Sequence, residues 1–319
     1  MRNEKFIPLI KGAIFHLPGV KSLFKKSTGG SDNSRYCYSV WLRHLVKLNQ
    51  FCSLKENFPS VIAELGPGDS LGVGLAALLS GCKKYYGLDV IKYWDIERNL
   101  RIFDELVELF RKRASIPDNH ALPSVRPVLE NFDFPDHILT DEILKDSLTD
   151  DRIALIKKEI ANIDSRKNKY VFYKIPWFSA AVIENHTVDL IISQSVLGYV
   201  TDLEKTYRSM NQWLKPGGHM SHTIDFKSHG ITKHWNSYWT YSELEWNLVQ
   251  GGRPFLLNRV PASQHMKYHD QFGLRVIESA TVKSKNTITR DQLDEKYADL
   301  STDDLDTSGI YVLSAKNQS

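Results

Sequence analysis

The sequence is poor in cysteine. Cys37, Cys52 and Cys82 are scattered, and no Cys-x-x-Cys pair occurs. That excludes a disulfide framework, argues against a structural zinc, and suits a reducing cytoplasm. Charge of one sign is also lacking: 41 Lys and Arg face 38 Asp and Glu, for a net charge of +3. Broad nucleic-acid binding is not expected from such a balance. No apolar run approaches the roughly 18 residues of a membrane span. The stretch "FIPLIKGAIFHLPGVKSLFKK" (6–26) is apolar, but Lys11 and two prolines interrupt it and no small-residue cleavage site follows, so it does not read as a signal peptide. Residues 1–26 hold Arg2, Lys5, Lys11, Lys21, Lys25 and Lys26 against one acid, Glu4. Such a segment either caps a domain or makes peripheral contact with an anionic membrane surface. The prolines argue against a long helix and for the cap. Internal repeats and low-complexity tracts are absent as well.

What is present is ordinary globular composition, 42% hydrophobic and 25% charged, over 319 residues. That length suits one large domain with an insertion. "VIAELGPGDSLGVGLAALLSGCKKYYGLDV" (61–90) reads strand, glycine turn, helix, strand. "VDLIISQSVLGYV" (188–200) is an apolar strand, and "DLEKTYRSMNQWL" after it has helical spacing that "KPGG" stops. "HMSHTIDF" (219–226), "LRVIESATV" (274–282) and "GIYVLSAK" (309–316) are further strands. Alternating strands and helices predict a parallel sheet with helices on both faces. Residues 95–169 differ: two charged amphipathic helices flank a stretch with four prolines, and together they read as a helical insertion. The expected organisation is an N-terminal helical cap, 1–60, and a main domain, 61–319, with the insertion at about 95–169.

The glycine turn carries the first functional signal. Gly66, Gly68 and Gly72 are spaced G-x-G-x-x-x-G, and the third glycine of the dinucleotide fingerprint is replaced by Leu71. That disfavours a nicotinamide or flavin enzyme. Asp89, at the end of the next strand, suits a ribose. Asp69 is a poor neighbour for phosphate and is expected to cap the helix instead. An adenosine cofactor without phosphates fits these residues: S-adenosylmethionine, whose cationic groups Glu64 would serve. The cofactor-binding candidates here are Glu64, Leu65, Gly66, Pro67, Gly68, Ser70, Asp89 and Val90.

"IAELGPGDSLG", "YYGLDV", "VDLIISQSVLGYV" and "LKPGG" together resemble the class I S-adenosylmethionine-dependent methyltransferases, over roughly 61–90 and 170–316. The resemblance implies a Rossmann-like α/β fold: a seven-stranded, mostly parallel sheet with a reversed last strand. It also implies that Pro176 and Trp177 cover the adenine and that Gln194 and Ser195 lie beside the cofactor's methionine part. "SRYCYSVWLRHL" (34–45), "SHTIDFKSHG" and "WNSYW" (235–239) are similar to a bacterial subgroup associated with surface-polysaccharide and other glycan biosynthesis. Many relatives of the class read "LEHV" after the fourth strand, whereas this chain reads Leu197-Gly198-Tyr199-Val200. No catalytic histidine carries over to position 199, and Tyr199 stays an acceptor-side candidate.

"SHTIDFKSHGITKHW" (221–235) holds three histidines and Asp225. Methyl transfer to an alcohol needs a base to take the proton, and histidine is the usual one. In a regular strand His219, Ser221, Thr223 and Asp225 share one face, and Met220, His222, Ile224 and Phe226 the other. Three readings compete: a metal site, whose ligand spacing matches no zinc signature; buried structural histidines; and an ordered acceptor loop with His222 or His229 as base and Asp225 as orienter. No metal is assigned. Tyr38, Arg43, His234, Trp235, Trp239, Arg253 and Arg259 are the remaining acceptor-side candidates, with aromatic faces for sugar rings and arginines for phosphate or carboxylate. Cys37 reads as a buried thiol rather than a nucleophile. The expected activity is methylation of a hydroxyl on a sugar or glycan intermediate in the cytoplasm. The alternatives are a lipid or other small molecule methylated on another atom, and a cofactor-binding scaffold without catalysis.

Overall fold

A computed structural model describes residues 2–14, 29–55, 57–177, 179–253 and 255–318. Seven strands form one sheet: β1 (Val61–Leu65), β2 (Lys84–Leu88), β3 (Val171–Lys174), β4 (Val188–Gln194), β5 (Leu214–Asp225), β6 (Leu274–Lys283) and β7 (Thr307–Lys316). Their order is β3-β2-β1-β4-β5-β7-β6. The first five run parallel, and β7 lies antiparallel between β5 and β6. This is the expected Rossmann-like sheet with its reversed last strand. The chain runs outward from β1 to β3, then returns to place β4 on the other side of β1. The strand order reverses there, so the crevice beyond the carboxyl ends of β1 and β4 is the natural ligand site.

Among the described residues ten α-helices accompany the sheet: α1 (Arg2–Ile14), α2 (Ser34–Phe51), α3 (Gly72–Leu79), α4 (Ile96–Arg111), α5 (Asp141–Ser147), α6 (Asp150–Ala161), α7 (Leu203–Trp213), α8 (Glu243–Gln250), α9 (Ala262–Gln271) and α10 (Thr302–Asp306). One core lies under α2, α3 and the insertion, with Trp41, Leu75, Tyr85, Phe103 and Phe110 buried in it. The opposite face is closed by α7 and α9 through Tyr207, Met210 and Trp213. The alternation read along β5 holds. Ser221 bonds His44 on α2, while Met220, Ile224 and Phe226 join the α7–α9 core.

Three local expectations change. The expected strand 219–226 begins at Leu214, because "KPGG" ends α7 and already runs along the sheet, with an irregular register between Val188 and Leu190. The second insertion helix is two helices, because Leu148 closes α5 and Thr149 starts α6. Pro8 does not prevent a helix: α1 carries it in its interior, with the ring on the buried seam against α8. Residues 15–26 of the basic segment lie outside the described residues. The helices of residues 1–60 serve different places, with α1 on α8 and α2 on α3 and α4.

Arg43 ties α2 to the insertion. Its guanidinium is fully buried and donates to the carbonyls of Pro117, Val125 and Pro127, to Asn119 Oδ1 and to Ser39 Oγ. Buried carbonyls without donors are costly, and bonds from charged donors are worth more than neutral ones. Arg43→Ala is expected to destabilise the fold by about 3 kcal/mol. Arg43→Lys is expected to recover little of this, since an ammonium lacks the planar fork. Urea unfolding checks both, and a loss for Arg43→Ala within about 0.5 kcal/mol, the range of an ordinary surface change, would refute the role.

Candidate active site

The turn after β1 is built by glycine. Gly66 (φ +62°) and Gly68 (φ +75°) take the left-handed conformation that side chains resist. A Cβ on Gly66 would stand 2.6 Å from Val196 in the segment after β4. The Val196 side chain therefore fills the space that a side chain at position 66 would need. Gly72 and Gly74 do a different job. A Cβ at Gly72 would collide with Cys37 on α2, and one at Gly74 with the ring of Tyr85 on β2. The start of α3 is thus pressed against both.

That helix start does not offer its amides to a phosphate. The Leu71 amide donates to Asn99 Oδ1 at 2.9 Å, and the Gly72 amide to Ser70 Oγ at 3.0 Å. Ser70 in turn bonds the Ser31 carbonyl, and Ser31 Oγ accepts the Asp69 amide at 2.8 Å. The expectation that Asp69 caps α3 is corrected: Ser70 and Asn99 take these amides because their side chains already lie at the helix start.

Glu64, on β1, is buried beneath the turn, and its carboxylate accepts the Tyr85 hydroxyl at 2.7 Å. Among the described residues no cationic side chain pairs with it, and burial pushes its pKa up to about 8. A buried acid held short of a cation suits the amine and sulfonium of S-adenosylmethionine. Leu65 and Pro67 beside it are buried. Asp89, one residue past β2, is also buried and raised in pKa by burial. One of its oxygens accepts the Val90 and Ile91 amides. Val90 itself is exposed. Trp177 donates its amide to the Asp89 carbonyl at 3.2 Å and packs its ring on Trp213, with Pro176 exposed beside it. The segment after β3 is thereby strapped to Asp89.

At the end of β4, Gln194 Oε1 lies 3.4 Å from His44 Nε2, and the other nitrogen of that buried ring is 2.7 Å from Ser221 Oγ. Ser195 is left-handed (φ +59°) and donates its amide to the Thr223 carbonyl.

At the end of β5, His229 Nε2 lies 3.2 Å from Asp225 Oδ2, and the other Asp225 oxygen accepts the Lys227 amide. The imidazole is about half exposed, and its bond to Asp225 raises its pKa. His222 is elsewhere. It is fully buried, 2.8 Å from Ser193 Oγ, on the face opposite Asp225, and burial holds its pKa well below the ordinary value. Its burial sets it apart from the half-exposed His229. His234 contributes its carbonyl to Ser228 and Thr232, and its ring lies within electrostatic reach of Glu4. Tyr199 is half-buried against Phe255, and Gly198 beside it approaches the Asp225 carbonyl closely.

Several acceptor-side candidates are committed to the protein interior. Tyr38 is buried and donates to the Ala114 carbonyl; Arg43 is the clamp described above. Trp239 is buried, donating to the Arg259 carbonyl. Arg259 is buried too, donating to the carbonyls of Tyr238 and Tyr241, pairing with Glu243, and lying over Trp246 and Tyr297. Arg253 binds the Val249 and Gln250 carbonyls at the end of α8. The aromatics expected as a sugar-binding wall pack on one another as a core of their own. Trp235 alone of "WNSYW" keeps a partly exposed indole, bonded to the Lys285 carbonyl.

Sequence reasoning missed Ser31, Tyr85 and Asn99, and chose Arg43 over its neighbour His44. The available signal was helical spacing: Cys37 and His44 stand seven apart, on the α2 face that meets Ser70 and Gln194.

Residues 50–278 match the family described as a methyltransferase domain, and the chain belongs to that family. It is an enzyme of the S-adenosylmethionine-dependent methyltransferase class, and S-adenosylmethionine is its cofactor. Among curated proteins, none matches the sequence. Solved structures of similar fold include an S-adenosylmethionine-dependent methyltransferase from Methanosarcina mazei (10% identity, 86% of this chain and 98% of that chain covered, TM-score 0.43). Another is a phosphoethanolamine N-methyltransferase from Haemonchus contortus in complex with S-adenosylmethionine (15%, 90% and 57%, 0.43). A third is an S-adenosylmethionine-dependent methyltransferase from Mesorhizobium loti (12%, 83% and 96%, 0.39). Likeness at this level says nothing about the acceptor.

A role for Glu64 toward the cofactor's cationic groups predicts that binding is linked to a proton, because burial favours the protonated carboxyl and a bound cation the ionised form. Binding of S-adenosylmethionine is expected to release a proton and to strengthen as pH rises toward about 8, by up to about tenfold per pH unit below it. Glu64→Gln is expected to bind more weakly and without this dependence. Calorimetry in buffers of different ionisation heat reads the released proton; equal proton release by the wild type and the variant would exclude Glu64.

Proposed function

We propose that the enzyme methylates a hydroxyl group, with His229 as general base and Asp225 as its orienting partner. The observation that carries this reading is the 3.2 Å contact between them at the carboxyl end of β5, next to the strand end that bears Gln194 and Ser195. S-adenosylmethionine, when bound, supplies the methyl group. Asp225 accepts a hydrogen bond from the Nε2–H of His229, which leaves Nδ1 as the acceptor nitrogen of the neutral ring. There His229 takes the proton that the acceptor hydroxyl must lose. Glu64, Asp89, Trp177 and Gln194 hold the cofactor side of the crevice, and Tyr199 borders the acceptor side. A fixed pair of this kind places the base before reaction.

The acceptor class we propose is a sugar or glycan intermediate. It rests on the resemblance of "SHTIDFKSHG" and "WNSYW" to glycan-associated methyltransferases, and on the partly exposed Trp235 beside the loop. A lipid or other small-molecule acceptor is the second reading, favoured by the apolar side chains that α1 and α8 leave exposed. The place of action we propose is the cytoplasm.

His229→Ala is expected to lower turnover about 10²–10⁴-fold with little change in cofactor affinity. Because Asp225 raises the His229 pKa, activity is expected to climb with pH through an inflection above the ordinary 6.5. Asp225→Asn is expected to move that inflection down and reduce the rate. Initial rates across pH on a panel of hydroxylated acceptors, with nitrogen acceptors alongside, test this. Full turnover by His229→Ala would remove the base from the mechanism.

A further inference from the structure

The last buried side of α1 is its seam with α8, formed by Pro8, Leu9 and Gly12; a Cβ at Gly12 would overlap the Leu248 carbonyl. The outward side is apolar. Phe6 is 63% exposed and Ile7 60%, with Ile10 and Ile14 continuing the stripe at helical spacing. Leu248 adjoins it across the seam, and Leu244, 73% exposed, lies one turn earlier on α8. Apolar side chains gathered on two adjoining helices mark an interaction surface, unlike singly scattered ones.

Charge identifies the partner. Lys11 is exposed within the stripe, and the sequence adds Lys21, Lys25 and Lys26 soon after the helix. The acids of both helices are neutralised: Glu4 pairs with Lys233, Glu245 with Lys5, and Glu243 with Arg259 and Lys296. The surface thus offers apolar area and positive charge with no bare carboxylate. A second copy of the chain would bring like charges together, which opposes self-association. Among the described residues no helix is long and apolar enough to cross a membrane. We propose that α1 and α8 together form a docking surface for an anionic lipid bilayer, lying in its interface with Phe6, Ile7, Ile10, Ile14, Leu244 and Leu248 toward the acyl region. This goes beyond the hydroxyl-methylation reading and does not depend on it.

The test is flotation of the full chain with vesicles of phosphatidylcholine alone or mixed with phosphatidylglycerol. Co-flotation with the mixed vesicles, weakened by added salt and low with the neutral ones, is the expected result. Lys11→Glu is expected to weaken binding on the order of tenfold, since each charge near such a surface contributes about one kcal/mol. The double substitution F6S and I10S is expected to abolish binding while cofactor affinity and the unfolding midpoint stay unchanged. Should that variant lose stability, Leu244→Ser on the other helix reads the same surface. Absence of flotation with either vesicle would overturn the proposal. So would a wild-type dimer that F6S and I10S convert to monomer, because the patch would then belong to a second copy.

Discussion

The site depends on how closely α3 approaches its neighbours. Gly72 and Gly74 let the helix touch Cys37 on α2 and Tyr85 on β2, and that contact sets the position of the Tyr85 hydroxyl. The hydroxyl is the side-chain donor to Glu64. The same packing buries the carboxyl and raises its pKa, a rise that the Tyr85 bond partly offsets. Two missing side chains on one helix thus govern the ionisation of an acid on the adjoining strand. Larger residues there would be overpacked, and the strain would be relieved at Tyr85 or Cys37.

The two halves of the crevice are made differently. On the cofactor side, polar groups are saturated by buried partners from distant segments: Ser31, Asn99 and His44 each close a gap left by the glycine turn or by β4. At the end of β5, His229 sits left-handed (φ +47°) in a loop, and its ring is held by its bond to Asp225. The loop stands on the aromatic core of Tyr238, Trp239, Tyr241 and Trp246, which Asn236 pins to Asn286 and the Leu305 carbonyl. Those aromatics form a buried core rather than an exposed wall.

The sheet was legible because each strand is a short apolar run bounded by turn residues, a pattern that needs no tertiary knowledge. The glycine turn and Asp89 were legible because backbone conformation and strand ends leave marks in one stretch of chain. The nearness of Asp225 to His229 was within reach, since they lie four residues apart across a single turn. Side-chain commitments were harder. Arg43 and Arg259 look like ligand-binding arginines until the carbonyls they serve, up to 84 residues away, come into view. Buried aromatics and ligand-facing ones are identical as letters. "KPGG" read as a helix stop, which it is, but Leu214 just before it already pairs with Val188, so the strand starts ahead of it.

The strand that completes the sheet is made last among the elements described here. On the ribosome, β5 and β6 emerge with no partner between them, because β7 pairs with both through Thr307–Lys316 and follows them in the chain. Until it arrives, each offers a row of unsatisfied backbone groups, the kind of edge that recruits other chains. Biosynthesis therefore leaves an interval in which β1 to β5 can pair with one another while β6 waits for β7. Stalling or truncation before residue 307 would leave two open edges. The quality of the harvested protein then hinges on the completion of synthesis more than on the stability of the finished fold.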